Sequence, residues 1–257
     1  MTGFGGRRIG TAGGAMLAAA DDVSGPWDRG GEAIFDPSYW QARGGLEPAA
    51  RGRGSAWFVR QGGQEWVLRH YRRGGWARHW LDDRYCWSGE RRVRAFAEWR
   101  LLEVLWARGL PVPQPIAARY RRRLLCYRCD LITRRIADAQ PLSALLAAAP
   151  LPQSLWQAIG AALGHLHRAG ADHADLNAHN ILVDGAGAVS VIDFDRGRLR
   201  RPGAWTARNL RRLHRSLVKL AAAQPAARFT AAHWQMLTAG YAAVWVGSPP
   251  PAGSGSA

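Results

Sequence analysis

The stretch HADLNAHNILVD (173–184) sets five hydrogen-bonding side chains ahead of an apolar triplet, and IDFD (192–195) follows across a short glycine turn. His173, Asp175 and Asn180 fit the spacing HxDxxxxN, and Asp193 comes thirteen residues after Asn180. Branched residues in ILVD and AVSVID flank Gly185 and Gly187, which predicts a small hairpin ending at Asp193. This order suits phosphoryl transfer. A polyphosphate donor carries several negative charges and needs a divalent cation; Mg²⁺ takes oxygen ligands, which Asn180 and Asp193 can supply. An acceptor hydroxyl needs a carboxylate within reach of its proton, and Asp175 is the candidate base. Asp and Asn also cap ordinary turns, so the reading depends on the rest of the chain.

Upstream, RGRGSAWF (51–58) places Gly52 and Gly54 where backbone N–H groups can approach phosphate without Cβ interference. AWFVR (56–60), QGGQ and EWVLRHY (65–71) predict a β-hairpin. A protein-kinase-like fold would put a phosphate-holding lysine on its second strand. Lys219 is the only lysine, and Arg69 stands in that place with a forked guanidinium suited to phosphate. Val93, Phe96, Leu101, Val104 and Leu105 recur at helical spacing over 91–108, and Glu98 on that helix is the acid that can orient Arg69. LLCYRCDLI (124–132) predicts one or two further strands. PLSALLAAA and SLWQAIGAALGHLHRAG then read as helices, with Ser154 as N-cap and Gly170 as stop. A last helix begins near Trp205, with Leu210, Leu213, Leu217 and Leu220 on one face.

The resulting expectation is an α+β, bilobal fold with its active site in a cleft. Residues 32–132 form a strand-rich N-lobe and 133–246 a helix-rich C-lobe, between a flexible extension (1–31) and a flexible tail (247–257). RRIGTAGGAMLAAAD is read as part of that extension rather than as an export signal, because its apolar centre is weak. No run of about 18 apolar residues offers a membrane span. Thirty-five basic against nineteen acidic residues give a net charge of +16, which favours an anionic partner. A nucleic-acid module fits poorly, since Asp172, Asp175, Asp184, Asp193 and Asp195 would repel a phosphate backbone. The three cysteines are odd in number and lack zinc spacing, so Cys126 and Cys129 are assigned to a buried strand.

FDPSYW, GRGSAWF, VLRHYRRGG, GLPVPQPIAA, DLNAHNILVD, IDFDRGRLR and NLRRLHRSLVK together resemble the 3-deoxy-D-manno-octulosonic acid (Kdo) kinases, small relatives of the protein kinase fold. The resemblance implies ATP-dependent phosphorylation of the 4-hydroxyl of Kdo on a lipid A precursor (lipid IVA), during lipopolysaccharide core synthesis at the cytoplasmic face of the inner membrane. A heptose kinase of the lipopolysaccharide core is the alternative. The resemblance to the Kdo kinases also implies Asp175 as base, Asn180 and Asp193 as Mg²⁺ ligands, and Gly52, Gly54, Arg69 and Glu98 around ATP; His173 is read from the motif as the residue that orients the loop. Arg72, Arg73 and Asp195 are candidates for contact with the acceptor; Asp195 can instead fix Arg196 or Arg198, or add a metal ligand. Ala174 replaces the arginine of a protein kinase HRD loop, Asp195 replaces the glycine of DFG, and no APE segment follows, which favours a small, sugar-like acceptor. Nine Arg or Lys between 196 and 219 suit a peripheral stay on anionic lipid. At about 1 kcal/mol each, half of them would give a dissociation constant on the order of millimolar. The oligomeric state is not read from the sequence.

Overall fold

The computed structural model describes residues 6–19, 30–48, 56–72, 83–223 and 228–246. The chain divides into two compact units, one taking residues up to Arg108, Val112–Ile136 and Phe194–Arg196, the other Gly109–Pro111, Ala137–Asp193 and the chain from Gly197 onward. In the first unit the chain builds an eight-stranded antiparallel sheet, several of whose strands carry runs of consecutive buried residues. Its strands are β1 (Gly6–Thr11), β2 (Gly14–Ala19), β3 (Leu46–Pro48), β4 (Ala56–Gln61), β5 (Gln64–His70), β6 (Tyr85–Cys86), β7 (Pro115–Arg123) and β8 (Cys126–Arg134). Their order is β1-β2-β7-β8-β5-β4-β3, with β6 on β8. The hairpin β4–β5 falls where its sequence predicts it, and Cys129 is buried in β8.

A flexible extension over residues 1–31 does not hold for 6–19. There β1 and β2 form a hairpin, β2 pairs with β7, and Ala15, Met16, Leu17 and Ala18 are buried. The Gly and Ala content that resembles low complexity is a packing requirement. A Cβ on Gly6 would run into the Trp99 ring, and one on Gly14 into the Tyr120 carbonyl oxygen.

Met16, Ile34, Phe35, Trp40, Val59, Trp66, Leu68, Ile116 and Ile132 form a buried core beneath the sheet. FDPSYW enters it through the short helix α1 (Pro37–Gln41). The Asp36 carboxylate accepts the Ser38 N–H at 3.0 Å, and Trp40 donates its indole N–H to the Ile34 carbonyl at 2.6 Å. Helix α2 (Arg94–Ala107) buries Phe96, Trp99, Leu101, Leu102 and Leu105, together with one charged residue, Glu98.

In the second unit, α3 (Leu142–Ala148) and α4 (Gln153–Arg168) match the two helical readings. Helix α4 starts two residues earlier than expected, with Pro152 in the cap position, so Ser154 lies inside the first turn and does not cap it. Small strands β9 (Gln140–Pro141), β11 (Ile181–Val183) and β12 (Val189–Val191) form one sheet, and β10 (Ala171–Asp172) pairs with β13 (Arg198–Leu199). Helix α5 (Ala204–Ala223) buries Leu213 and Leu217 and exposes Arg208, Arg211, Arg212, Arg215 and Lys219. Helix α6 (Ala231–Val246) packs against α4 closely enough that a Cβ on Gly160 or Gly240 would strike the opposing backbone. Among the described residues, no helix is long and apolar enough to cross a membrane.

Candidate active site

In the helical unit, the loop between β10 and β11 carries His173, Asp175 and Asn180. His173 is buried and neutral in character, with burial pushing its pKa below the ordinary value. Its Nδ1 accepts the Asp175 backbone N–H at 3.1 Å, which leaves Nε2 as the donor to the Ile192 carbonyl at 2.9 Å. One ring therefore ties the loop at Asp175 to the residue before Asp193. Asn180 donates Nδ2 to the Asp175 carbonyl at 3.0 Å, and its own carbonyl accepts the Ile192 N–H at 2.9 Å. Asn177 closes an Asx turn by accepting the His179 N–H, and it donates Nδ2 to the Asp175 carbonyl at 2.9 Å.

These bonds fix the backbone and leave the Asp175 carboxylate 64% exposed, with Arg212 of α5 at 3.5 Å. Asp193 sits in the left-handed region at φ 64°, a conformation that Asp tolerates better than most residues. With Asn180 Nδ2 committed to the loop, Oδ1 is the atom this side chain can offer a cation. An amide oxygen and the Asp193 carboxylate are both hard donors, and Mg²⁺ commonly takes one or two protein oxygens plus substrate phosphates. The donor set fits Mg²⁺.

In the strand unit, Arg69 of β5 and Glu98 of α2 form an ion pair, and the Tyr71 hydroxyl donates to the same Glu98 oxygen. Arg69 also donates to the Tyr71 oxygen at 2.8 Å, with its guanidinium 4.6 Å from that ring's centre. Burial, opposed by the Arg69 charge and aided by that of Glu98, pushes the Tyr71 pKa well up, so this hydroxyl remains a donor. One helical turn before Glu98, Arg94 pairs with Asp195 through Nε and one Nη, two parallel bonds from one edge of the guanidinium, the Nε to Oδ1 distance being 2.8 Å. Burial works against the Arg94 charge, but Asp195 outweighs it and raises the pKa. Asp195 thus fixes Arg94, not Arg196 or Arg198.

The structure brings the expected pairs together within each unit: Arg69 with Glu98, and His173 and Asn180 with the Asp175 loop. Arg72 is exposed just past β5, while Gly52, Gly54 and Arg73 lie outside the described residues. Sequence reasoning missed Tyr71, Arg94 and Arg212. The i, i+2 spacing of Arg69 and Tyr71 and the i, i+4 spacing of Arg94 and Glu98 were available as signals. Arg212 had none.

A strand arginine paired with a buried helix glutamate and an HxDxxxxN loop before a short hairpin are the parts of a phosphotransferase of protein-kinase-like fold. Residues 38–241 match the lipopolysaccharide kinase (Kdo/WaaP) family, and the chain belongs to that family. It is 43% identical over 210 residues to the 3-deoxy-D-manno-octulosonic acid kinase of Photobacterium profundum, covering 82% of this chain and 89% of that protein. Two similar proteins of the same name come from Stenotrophomonas maltophilia, 48% identical over 191 residues, and Xanthomonas axonopodis pv. citri, 49% identical over 192. Each of these alignments covers 73% of this chain and 75% of the relative.

Proposed function

We propose that this protein transfers the γ-phosphoryl group of ATP to the 4-hydroxyl of Kdo in a lipid A precursor such as lipid IVA, during lipopolysaccharide core synthesis. The observation that carries the reading is the HxDxxxxN loop, held by His173 and Asn180, in a member of the lipopolysaccharide kinase family. In the reaction the bond from the γ-phosphorus to its bridging oxygen breaks, a bond to the acceptor oxygen forms, and ADP leaves. Asp175 accepts the acceptor's proton, a contribution of about 10² to 10⁴ in rate. Arg69, aimed by Glu98 and Tyr71, holds the α- and β-phosphates, with Gly52 and Gly54 in the loop over them. Asn180 and Asp193 hold Mg²⁺, which neutralises phosphate charge when bound. Arg72 and Arg73 meet the acidic groups of the glycolipid. Arg212, beside an exposed Asp175, is a further cation for an acceptor carboxylate.

The enzyme works as a peripheral protein at the cytoplasmic face of the inner membrane, where its acceptor lies. Incubation with labelled ATP and Kdo-bearing lipid A precursor is expected to label the glycolipid. Label appearing only in a heptose-bearing core acceptor would overturn the Kdo assignment and leave the kinase chemistry intact.

A further inference from the structure

The turn between β7 and β8 exposes two large apolar side chains, Leu124 and Leu125, at 83% and 77%. Exposed leucines are common singly, but an adjacent pair at the tip of a hairpin is not. Leu124 has φ 55°, where a two-residue hairpin turn favours Gly, Asn or Asp, so a bulky apolar side chain is held in a conformation that disfavours it. Three consecutive arginines, Arg121, Arg122 and Arg123, precede the pair, and all are exposed. Arg121 is paired with Glu32, whereas Arg123 has no ion pair among the described residues.

The two carbonyls at the tip are already satisfied within the protein. The Leu124 carbonyl accepts Nε–H of Arg122 at 2.9 Å, and the Leu125 carbonyl accepts the Trp87 N–H at 2.8 Å. Both carbonyls can therefore leave water without losing a partner, which a lipid-facing turn requires. Beside the tip, an open recess of about 410 Å³ is floored by Trp87 and Tyr120 and rimmed by Arg122 and Leu124. Arg122 also lies 4.8 Å from the centre of the Trp87 ring. Aromatic rings with an arginine rim suit the headgroup layer of a bilayer.

We propose that the Leu124–Leu125 turn inserts into the surface of an anionic lipid bilayer, with Arg122 and Arg123 on the headgroups and Trp87 at the interface. The sheet carries this tip beyond the segment expected to meet the acceptor. The Tyr71 backbone N–H donates to the Cys129 carbonyl and β6 pairs Cys86 with Cys126, so Arg72 faces the same end of β8, on the order of 13 Å short of the turn at about 3.3 Å per residue. The use of this geometry rests on the reading that the acceptor is lipid-linked; the insertion itself does not.

The test is co-sedimentation of the full chain with vesicles of phosphatidylglycerol and phosphatidylethanolamine. Leu124→Asn with Leu125→Ser suits the left-handed position, so the melting temperature is expected to hold or rise while vesicle partitioning falls about tenfold or more. Arg123→Gln is expected to weaken partitioning about fivefold on anionic vesicles and not at all on neutral ones. With a water-soluble Kdo acceptor both variants should retain wild-type turnover. Unchanged partitioning of the leucine variant overturns the proposal and points to the basic face of α5. Concentration-dependent self-association that the same variant abolishes, without loss of vesicle binding, overturns it in favour of a second copy of the chain. If no Kdo acceptor is phosphorylated but vesicle binding still depends on the tip, the acceptor reading fails and the insertion stands.

Discussion

Glu98 exposes 2% of its side chain and Asp175 exposes 64%, although both are carboxylates proposed to act in one reaction. Around Glu98 the strand unit uses charge: Arg69 and Tyr71 converge on one oxygen, and Arg94 with Asp195 repeats the arrangement one helical turn away. Around Asp175 the helical unit relies mainly on the backbone: His173, Asn177 and Asn180 bond to its main-chain atoms, and the carboxylate, met only by Asn177 Nδ2 at 3.3 Å and Arg212 at 3.5 Å among the described residues, stays largely exposed. A buried charge is stable only while its partner remains, whereas an exposed one can be neutralised at little structural cost. Function and stability should therefore separate at Asp175 and fail together at Glu98.

The largest expected effects test that separation from the exposed side. Asp175→Asn should lower turnover by about 10² to 10⁴, or about 3 to 5 kcal/mol in the barrier, with ATP affinity kept. Its unfolding free energy should stay within about 0.5 kcal/mol of the wild type, as for an ordinary surface change. Asp193→Ala should instead abolish Mg²⁺-dependent nucleotide binding, measured by titration with and without the metal. Equal, small losses in both variants would break the division of roles. From the buried side, Glu98→Gln leaves the Arg69 charge without its carboxylate. It should cost about 3 kcal/mol of stability and raise KM for ATP at the same time. A KM effect with an unchanged denaturation midpoint would show that burial of the pair contributes no stability.

The two units should also answer acid in opposite directions. His167 of α4 is buried against Tyr241 at 3.0 Å, and burial lowers its pKa from 6.5 to about 4. Its neutral form stabilises the helical unit fully above pH 6.5, and that stability is lost as pH falls towards 4. The amount is about 3 kcal/mol at about 1.4 kcal/mol per unit. His173 shifts in the same direction. His70 in the strand unit shifts the other way: burial opposes its charge, but Asp130 at 2.6 Å and then Asp83 raise its pKa. Its contribution is complete below 6.5 and disappears as pH rises through the folded value. Hydrogen exchange between about pH 7.5 and 5 should show protection falling in α4 and α6 more than in β5 and β8. His167→Gln should flatten the fall, and equal loss in both units would remove the contrast.

What could be read in the sequence follows the same division. The Asp175 loop was legible because its parts are local: HxDxxxxN, the glycine turn and Asp193 all lie within 21 residues, from 173 to 193. The Arg69–Glu98 pair was legible by analogy of position on strand and helix. Arg94 with Asp195 was not, since 101 residues separate them and no spacing rule connects the two. The β1–β2 hairpin was hidden for a different reason. Strand patterns are recognised by large apolar residues, and here the neighbours Trp99 and Tyr120 supply the bulk while Gly6 and Gly14 make room for it.

That hairpin also supplies the smallest expected effect. Arg8 of β1 grips Glu90 with two bonds, at 2.8 and 2.9 Å, and Tyr120 donates to the same carboxylate at 2.9 Å. Arg8 is the first cause of the lowered Glu90 pKa, so the clamp's stability is present above the ordinary carboxylate range and lost as pH falls through the folded value. Because the Arg8 side chain is 54% exposed, solvent and salt screen the pair, and Arg8→Gln should cost under about 1 kcal/mol at low salt and near nothing at about 1 M. The hairpin's place in the sheet should survive, since it rests on buried Met16 and Leu17 and on the β2–β7 ladder. Loss of protection throughout β2 in Arg8→Gln would instead mean that a surface charge, not packing, joins residues 6–19 to the fold.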